Sequence, residues 1–360
     1  MKMKEFCKKH KVLIAVVGII LLLVLIVLGY IYLKLKKLNY DDGTVTEEVV
    51  EIVVEESLVT DEEAEDLGEA EVILSDAEMQ SDEDVFNLLL LGTDEHTSKF
   101  STNARADSIM ILSLDKKNKT MKLVSLQRGM GFPVLEGKYE GEYDWITHLF
   151  RYGGADLMLK SIRQVLNIEI EHYVRVNAYT FQELINCVGG VDVELTAAEV
   201  EAFAKRRKTN YLIHEATVGK NHLDGFNAFV YSQLRSIDSD WNRIQRQRNV
   251  LESLVVSAKD MSIKDLNDML DTMLPLVQTN LDILDIVGLL SYAPAVLGME
   301  MEQMTIPVKG TYGSMKGLGG RNLYAVDFEE NSKILHEFLY GVEAETEVEG
   351  ETEVGSEEGN

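Results

Sequence analysis

Along the chain, apolar and polar positions alternate with periods that change several times, and the changes divide it into five stretches. Residues 12–33, VLIAVVGIILLLVLIVLGYIYL, contain no charged side chain. At about 1.5 Å per helical residue this run reaches roughly 33 Å, enough to cross a bilayer. Its apolar core is longer than that of a signal peptide and runs on into KLKK, which predicts a retained transmembrane anchor after a short tail, residues 1–11. Residues 34–84 show no sustained period and read as a stalk. Order is expected over 85–341, followed by a tail at 342–360. Within 85–341, short apolar runs bounded by turn residues predict strands at 85–92 (VFNLLLLG), 107–115 (DSIMILSLD) and 121–126 (MKLVSL). A helical period follows at 154–167, a strand at HYVRVN (172–177), a helix closed by Gly189 and Gly190, and a strand at VDVEL (191–195). Thr196 is placed to cap the next helix. Helical patterns then dominate, at 224–235, 240–260, 262–275 and 281–297, before a strand at QMTIPV (303–308) and a helix at 327–341. Strands alternating with helices predict an α/β layered domain whose helices cover a sheet.

Charge sharpens this division. The net charge of −26 is not spread evenly. Residues 1–40 carry eight Lys against one Glu, residues 41–84 carry 19 acidic side chains and no Lys or Arg, and residues 342–360 carry eight Glu and no base. The acidity belongs to the stalk and the tail, which read as solvated spacers. The central domain is only mildly acidic and shows no basic patch, which argues against nucleic-acid binding. Lysines flank the apolar run on both sides, with more before it (Lys2, Lys4, Lys8, Lys9, Lys11) than after it (Lys34, Lys36, Lys37). That bias predicts a cytoplasmic N-terminus and an extracellular domain in a single-pass cell-membrane protein. Cys7 and Cys187 would then lie on opposite sides of the membrane, so no disulfide is implied.

The candidate chemistry starts in SDWNRIQRQRNVLESLVVSAKD, residues 239–260. Asp240 is placed to cap this helix, and Ile244, Val250, Leu251, Leu254, Val255 and Ala258 make an apolar stripe. At about 100° per residue, Arg243 and Gln247 fall inside the stripe, Arg246 at its edge, and Arg248 points away. A guanidinium on a buried face needs an anion. Near a helix N-terminus, two such forks suit a pyrophosphate; a carboxylate elsewhere in the core would serve equally well. Other charged residues fall at strand ends, where α/β folds place ligands. Asp94 lies near the end of LLLLGTDE, Arg105 and Asp107 near the start of ARADSIMIL, and Arg128 near the end of LVSLQRG. Arg235 closes LDGFNAFVYSQLR. Carboxylates among arginines suggest Asp94 and Asp107 on a magnesium ion, with the arginines on phosphate oxygens.

These stretches, in this order, together with YGG (152–154), FQELINCVGGVDVEL and the motif Asp240, Arg243, Arg246, Gln247, resemble the LytR–CpsA–Psr family over roughly residues 85–260. The resemblance implies a membrane-anchored phosphotransferase of the Gram-positive envelope, with a three-layer α/β/α sandwich following the N-terminal transmembrane helix. Such an enzyme moves a glycopolymer from a polyprenyl-pyrophosphate carrier to peptidoglycan through a phosphodiester, assisted by Mg2+ or Mn2+. By position, Asp94 and Asp107 would be metal-associated. Arg105, Arg128, Arg235, Arg243 and Arg246 would bind pyrophosphate, with Gln247 and Asp240 completing the catalytic set. The chain departs from the family pattern at Gly129 (Asp), Gln233 (Arg), His96 (Arg) and Trp145-Ile146-Thr147 (Lys-Ile-Asn). These departures motivate an alternative: a catalytically impaired relative that binds polyprenyl phosphate as a sensor or envelope-assembly partner.

Other signals point nowhere further. GTYGSMKGLGGR (310–321) lacks the Gly-Lys-Ser/Thr ending of a phosphate loop and reads as a flexible turn. The histidines show no paired spacing, no cysteine pair has zinc spacing, and no Gly-x-Ser-x-Gly elbow is present. AKRRK (204–208) reads as a solvated helix end.

Overall fold

The computed structural model describes residues 30, 32–41, 58–234, 240–259, 261–296 and 301–341. In chain order the first part comprises β1 (Asn39–Tyr40), α1 (Asp61–Leu67), β2 (Val85–Thr93), β3 (Ala106–Asp115), β4 (Thr120–Leu126), β5 (Gly131–Pro133) and β6 (Tyr143–Trp145). Then come α2 (Ile146–Leu166), β7 (His172–Asn177), α3 (Ala178–Cys187), β8 (Val191–Leu195), α4 (Ala197–Arg207), β9 (Gly219–Leu223) and α5 (Gly225–Ser232). The last part holds α6 (Asp240–Lys259), α7 (Ile263–Met273), β10 (Gln278–Thr279), α8 (Ile283–Val296), β11 (Met301–Ile306), β12 (Tyr312–Lys316), β13 (Asn322–Val326) and α9 (Phe328–Tyr340).

Seven strands form one mixed sheet in the order β1-β10-β7-β2-β3-β4-β11. β2 runs parallel to β7 and antiparallel to β3. The strand period of two then decides what each face does. Leu89, Leu91, Ile109, Ile111 and Tyr173 are buried with α2 and α9 in one large core. Their neighbours in sequence turn to the opposite face, which α3, α5 and α6 cover. Beyond those helices the antiparallel β8–β9 pair closes a second core around Phe203, Tyr231 and Val250. Helices therefore lie on both faces of a mixed sheet, as the alternation of elements predicts.

Local chemistry explains the element ends. The Thr196 side chain accepts from the Glu199 N–H while Glu199 returns a bond to the Thr196 N–H, a full capping box. Asn177 caps α3, Asp224 caps α5 and Asp327 caps α9. Tyr152-Gly153-Gly154 lies inside α2, where the helix kinks. Gly154 sits at φ 66°, ψ −158°, a region open essentially only to glycine.

Three expectations need correction. Residues 58–81 were expected in the stalk but lie on the domain. Val59 is fully buried, α1 packs on β12 and β13, and Glu69, Ile73 and Gln80 bridge to Ser314, Asp327 and Ile168. The few apolar side chains of that acidic stretch are enough to seat it as a strap. Residues 310–321 are not a flexible turn, because β12 and β13 pair across them as an antiparallel hairpin. Arg248 does not point to solvent; it is buried against β4 and β11, donating to Ser125 Oγ (2.9 Å), Thr305 Oγ1 (2.7 Å) and the Met304 carbonyl. The α6 helix is covered on more than one side, so its apolar stripe underestimates the buried face. The anchor run, 12–33, lies outside the described residues except for Tyr30, Tyr32 and Leu33, as does the 342–360 tail. Among the described residues no helix is long and apolar enough to cross a membrane.

Replacing Gly154 with Ala should force a side chain into the glycine-only conformation at the α2 kink. Denaturant titration is expected to show a loss of about 1–3 kcal/mol of unfolding free energy. An unchanged midpoint would mean that the kink relaxes freely.

Candidate functional site

A cavity of about 550 Å³ lies between the sheet and the helices α3, α5 and α6. Strand register builds its floor. Val174, Leu90 and Met110 stand side by side across β7, β2 and β3, and Val176, Gly92 and Ser108 form the next row. Phe181 and Leu184 of α3, Phe229 beyond them on α5, and Leu251 of α6 complete the apolar walls. Polar groups gather at one end: Asp94, Arg105, Asp107, Ser108, Gln233 and Gln247. An apolar chamber with a few convergent polar groups is the usual form of a small-molecule site.

The two carboxylates are held differently. Asp94 ends β2, and Arg105 stands just before β3 begins, so the loop between them brings both residues to the same sheet edge. The Arg105 backbone N–H donates to Asp94 Oδ1 (3.0 Å) and its Nε to Oδ2 (3.1 Å). Asp107 faces a denser cluster. Arg128 Nη1 donates to its Oδ1 at 2.9 Å, and Arg243 Nη2 lies 3.8 Å from Oδ2 while donating to the Asp107 carbonyl at 3.2 Å. Burial works to raise the Asp107 carboxyl, but the charges of Arg128, Arg243 and Arg105 outweigh it and hold the group below its ordinary value. Arg243 is fixed further by Gln233 Oε1 at 2.9 Å, and Gln247 Oε1 accepts from Ser108 Oγ at 3.2 Å.

The sequence-derived candidates therefore fall into four groups. Asp94, Arg105, Asp107 and Gln247 line the cavity. Arg128 and Arg243 are buried behind Asp107 and reach it directly. Arg246 goes elsewhere: its guanidinium pairs with Glu199 Oε1 (3.2 Å) and donates to the Leu234 carbonyl (2.5 Å), and it does not line the cavity. For Arg246 a core carboxylate took the place that sequence reasoning gave to pyrophosphate, because the capping-box Glu199 has a second oxygen facing α6. Arg235 and the Asp240 side chain lie outside the described residues.

Sequence reading missed Arg175. This residue is buried in β7 and donates to Glu95 Oε1 (2.5 Å), the Ser101 carbonyl (2.8 Å), Thr93 Oγ1 (3.1 Å) and Gln278 Oε1 (2.7 Å). Its guanidinium also lies between the rings of Phe100 and Phe150, 4.6 and 4.4 Å from their centroids. Arg175 thus clamps the loop that carries Asp94 and Arg105. The signal was available: an arginine at a core-facing position of an alternating strand. His96 also lines the cavity, edge-on to Phe229. The AKRRK segment is less solvated than expected, since Arg206 reaches the carbonyls of Val230 and Gln233 at 3.4 Å.

Breaking the buried Arg246–Glu199 pair from one side should leave an uncompensated charge. Arg246→Met and Glu199→Met are each expected to cost about 3–5 kcal/mol in chemical denaturation, and the Arg246→Met/Glu199→Met double variant much less than the sum. Additive losses would show that the two residues do not act as a pair.

Comparison with known proteins gives this geometry its context. The family model described as the LytR_cpsA_psr family matches residues 50–338. The polyisoprenyl-teichoic acid–peptidoglycan teichoic acid transferase TagT of Bacillus subtilis (strain 168) is 31% identical over 232 residues, 63% of this chain and 70% of that protein. The corresponding TagU of Bacillus mycoides (strain KBAB4) is 32% identical over 198 residues, 54% of this chain and 60% of that protein. A solved structure of TagT bound to LIIa-WTA superposes with a TM-score of 0.58 at 26% identity, covering 76% of this chain and all of that one. With a family match over most of its length and a solved relative of the same fold, the chain belongs to the LytR_cpsA_psr family.

Proposed function

We propose that this protein is a membrane-anchored phosphotransferase that moves a glycopolymer from a polyprenyl-pyrophosphate carrier to peptidoglycan. The observation that carries the reading is the cavity's division into an apolar chamber and a charged end. A polyprenyl pyrophosphate has the same division, a hydrocarbon tail joined to a polyanionic head. The TagT and TagU relatives, polyisoprenyl-teichoic acid–peptidoglycan teichoic acid transferases, support the same substrate class.

In this reading the tail lies over Leu90, Met110, Val174 and Phe181, and the pyrophosphate meets Arg105 at the rim. Three guanidiniums (Arg105, Arg128, Arg243) against two carboxylates (Asp94, Asp107) leave the charged end one positive charge in excess. That excess favours a polyanion and stabilises charge that builds on phosphate oxygens as transfer proceeds. The acceptor hydroxyl of peptidoglycan attacks the glycopolymer-side phosphorus, and its proton passes in the net reaction to the departing phosphate. The bond to the bridging oxygen breaks, and polyprenyl phosphate leaves. Arg128 and Arg243 keep Asp107 ionised, and Gln247 and Ser108 fix the wall beside it.

Magnesium fits this set in one form only. Among the described residues no three His, Cys, Asp or Glu side chains gather to hold a metal ion, so Asp94 and Asp107 would hold it together with substrate oxygens. Bound there, Mg2+ would supply Lewis-acid neutralisation of the pyrophosphate. The anchor at 12–33 would keep the domain on the outer face of the membrane, where carrier and acceptor meet.

Full-length protein in detergent micelles, given a polyprenyl-pyrophosphate-linked glycopolymer, peptidoglycan fragments and Mg2+, should form the phosphodiester product. Arg105→Ala and Asp107→Ala are each expected to slow transfer by about a hundredfold or more, and a chelator should do so reversibly. Unchanged rates in both variants would reject the mechanism. Tight lipid binding with no turnover in the unmodified protein would favour the sensor reading, to which Gly129 and Gln233 already lend weight.

A further inference from the structure

The chain that leaves the apolar run does not trail away from the domain. Tyr30 donates its hydroxyl to Asn267 Oδ1, Lys34 pairs with Asp271, and Lys37 reaches the same carboxylate at 2.7 Å. β1 then pairs in parallel with β10, the Asp41 N–H donates to the Thr279 carbonyl (3.0 Å), and Tyr173 donates its hydroxyl to Asp41. Tyr30 and residues 32–41 are therefore built into the domain along α7 and the outer edge of the sheet.

This docking creates an apolar face. Tyr32, Leu35, Leu38 and Tyr40 line a groove of about 500 Å³ with Leu281, Ile283 and Leu284 at the start of α8, and Lys36 and Asp282 supply its charged groups. Four side chains of this region stand well out of the protein: Tyr32 is 54% exposed, Leu33 65%, Tyr40 57% and Leu284 78%. Single exposed apolar residues mean little, but a contiguous set asks what covers it. Two features of the chain answer. The face is continuous with the uncharged run 12–33, since Tyr32, next to last in that run, lines it. Its composition is also that of a membrane interface: tyrosines and leucines beside Lys36, whose stem can lie along lipid while its ammonium group stays among headgroups.

We propose that this face, formed by residues 32–40 and the first turn of α8, rests in the headgroup and upper acyl region of the bilayer. The inference depends on the anchor reading and goes beyond it. The domain would not swing on a tether but would be held at its β1 edge against the membrane, which limits how the cavity can turn relative to the lipid from which its substrate comes.

The test uses the full chain with Cys7→Ser and Cys187→Ser, in vesicles of phosphatidylglycerol and phosphatidylethanolamine. A polarity-sensitive fluorophore is attached at Leu284→Cys, or at Tyr211→Cys, a control position 89% exposed beyond α4. Alkaline carbonate extraction first reports whether the chain is inserted. The expected result is an inserted protein whose probe at 284 shifts to the blue and is quenched by spin-labelled lipid, while the probe at 211 does neither. An inserted protein with equal, water-like spectra at both sites would overturn the inference and leave the anchor standing. Shielding at 284 that grows with protein density and resists lipid quenchers would assign the face to a second copy of the chain and overturn it too. Release by carbonate would remove both readings.

Discussion

A guanidinium taken out of water must find an anion, and that requirement organises the interior of this protein. Asp107 is the shared solution for the charged end of the cavity. Arg128 comes to it from the end of β4 and Arg243 from α6, so one carboxylate ties two adjacent strands to the helix that covers them. Removing the anion would leave two buried cations; removing one cation would free the carboxylate toward its ordinary behaviour. A site balanced in this way is sensitive to any added polyanion, because the same guanidiniums that satisfy Asp107 also set the field a ligand's phosphate would meet.

The apolar part of the cavity has a separate origin. It exists because Leu90, Met110 and Val174 stand abreast on one face of β2, β3 and β7 and because α3, α5 and α6 stand off from the sheet there. Where α6 meets β4 and β11 instead, Arg248 fills the interface with hydrogen bonds to Ser125, Thr305 and the Met304 carbonyl. Its partners are neutral, and burial pushes its basicity down to about 10. One helix thus closes the sheet at one end with a solvated-looking residue and leaves a chamber at the other.

The central strands of the large core were legible because they are short apolar runs bounded by turn residues: LLLL and SIMIL carry the burial that such runs promise. The convergence of Asp94, Arg105, Asp107 and Arg128 was also legible, since all four stand at strand ends that the order of strands brings to one edge. Partner choice was not. The sequence placed Arg246 beside Arg243 at the front of one helix, yet Glu199, some 47 positions away, claims only the first of them. Three-dimensional neighbours of that kind leave no trace in spacing. Residues 58–81 were misplaced for a related reason. Their acidic composition describes the solvent side of the strap, whereas Val59 and the backbone bridges fix it to the domain.

The departures from the family pattern take on a different weight once the neighbours are known. At Gly129 a Cβ would stand 3.0 Å from Val59 Cγ2 and 3.1 Å from Tyr324 Cε2, so the strap and the β12–β13 hairpin occupy the space an aspartate there would need. Gln233, in place of an arginine, accepts a hydrogen bond from Arg243 and would, as an arginine, repel it. His96 packs on the Phe229 ring, Trp145 donates its indole N–H to the Asn322 carbonyl at 2.8 Å, and Thr147 donates its hydroxyl to the Ala106 carbonyl at 2.7 Å, beside Asp107. Each substituted residue is bound into its surroundings, and two of them steady groups of the charged end. Simple reversion of Gly129 or Gln233 would disturb packing or Arg243 before it restored any charge. The surviving arginines and carboxylates therefore form a self-consistent set, in which Arg243 is held by Gln233 as well as by Asp107.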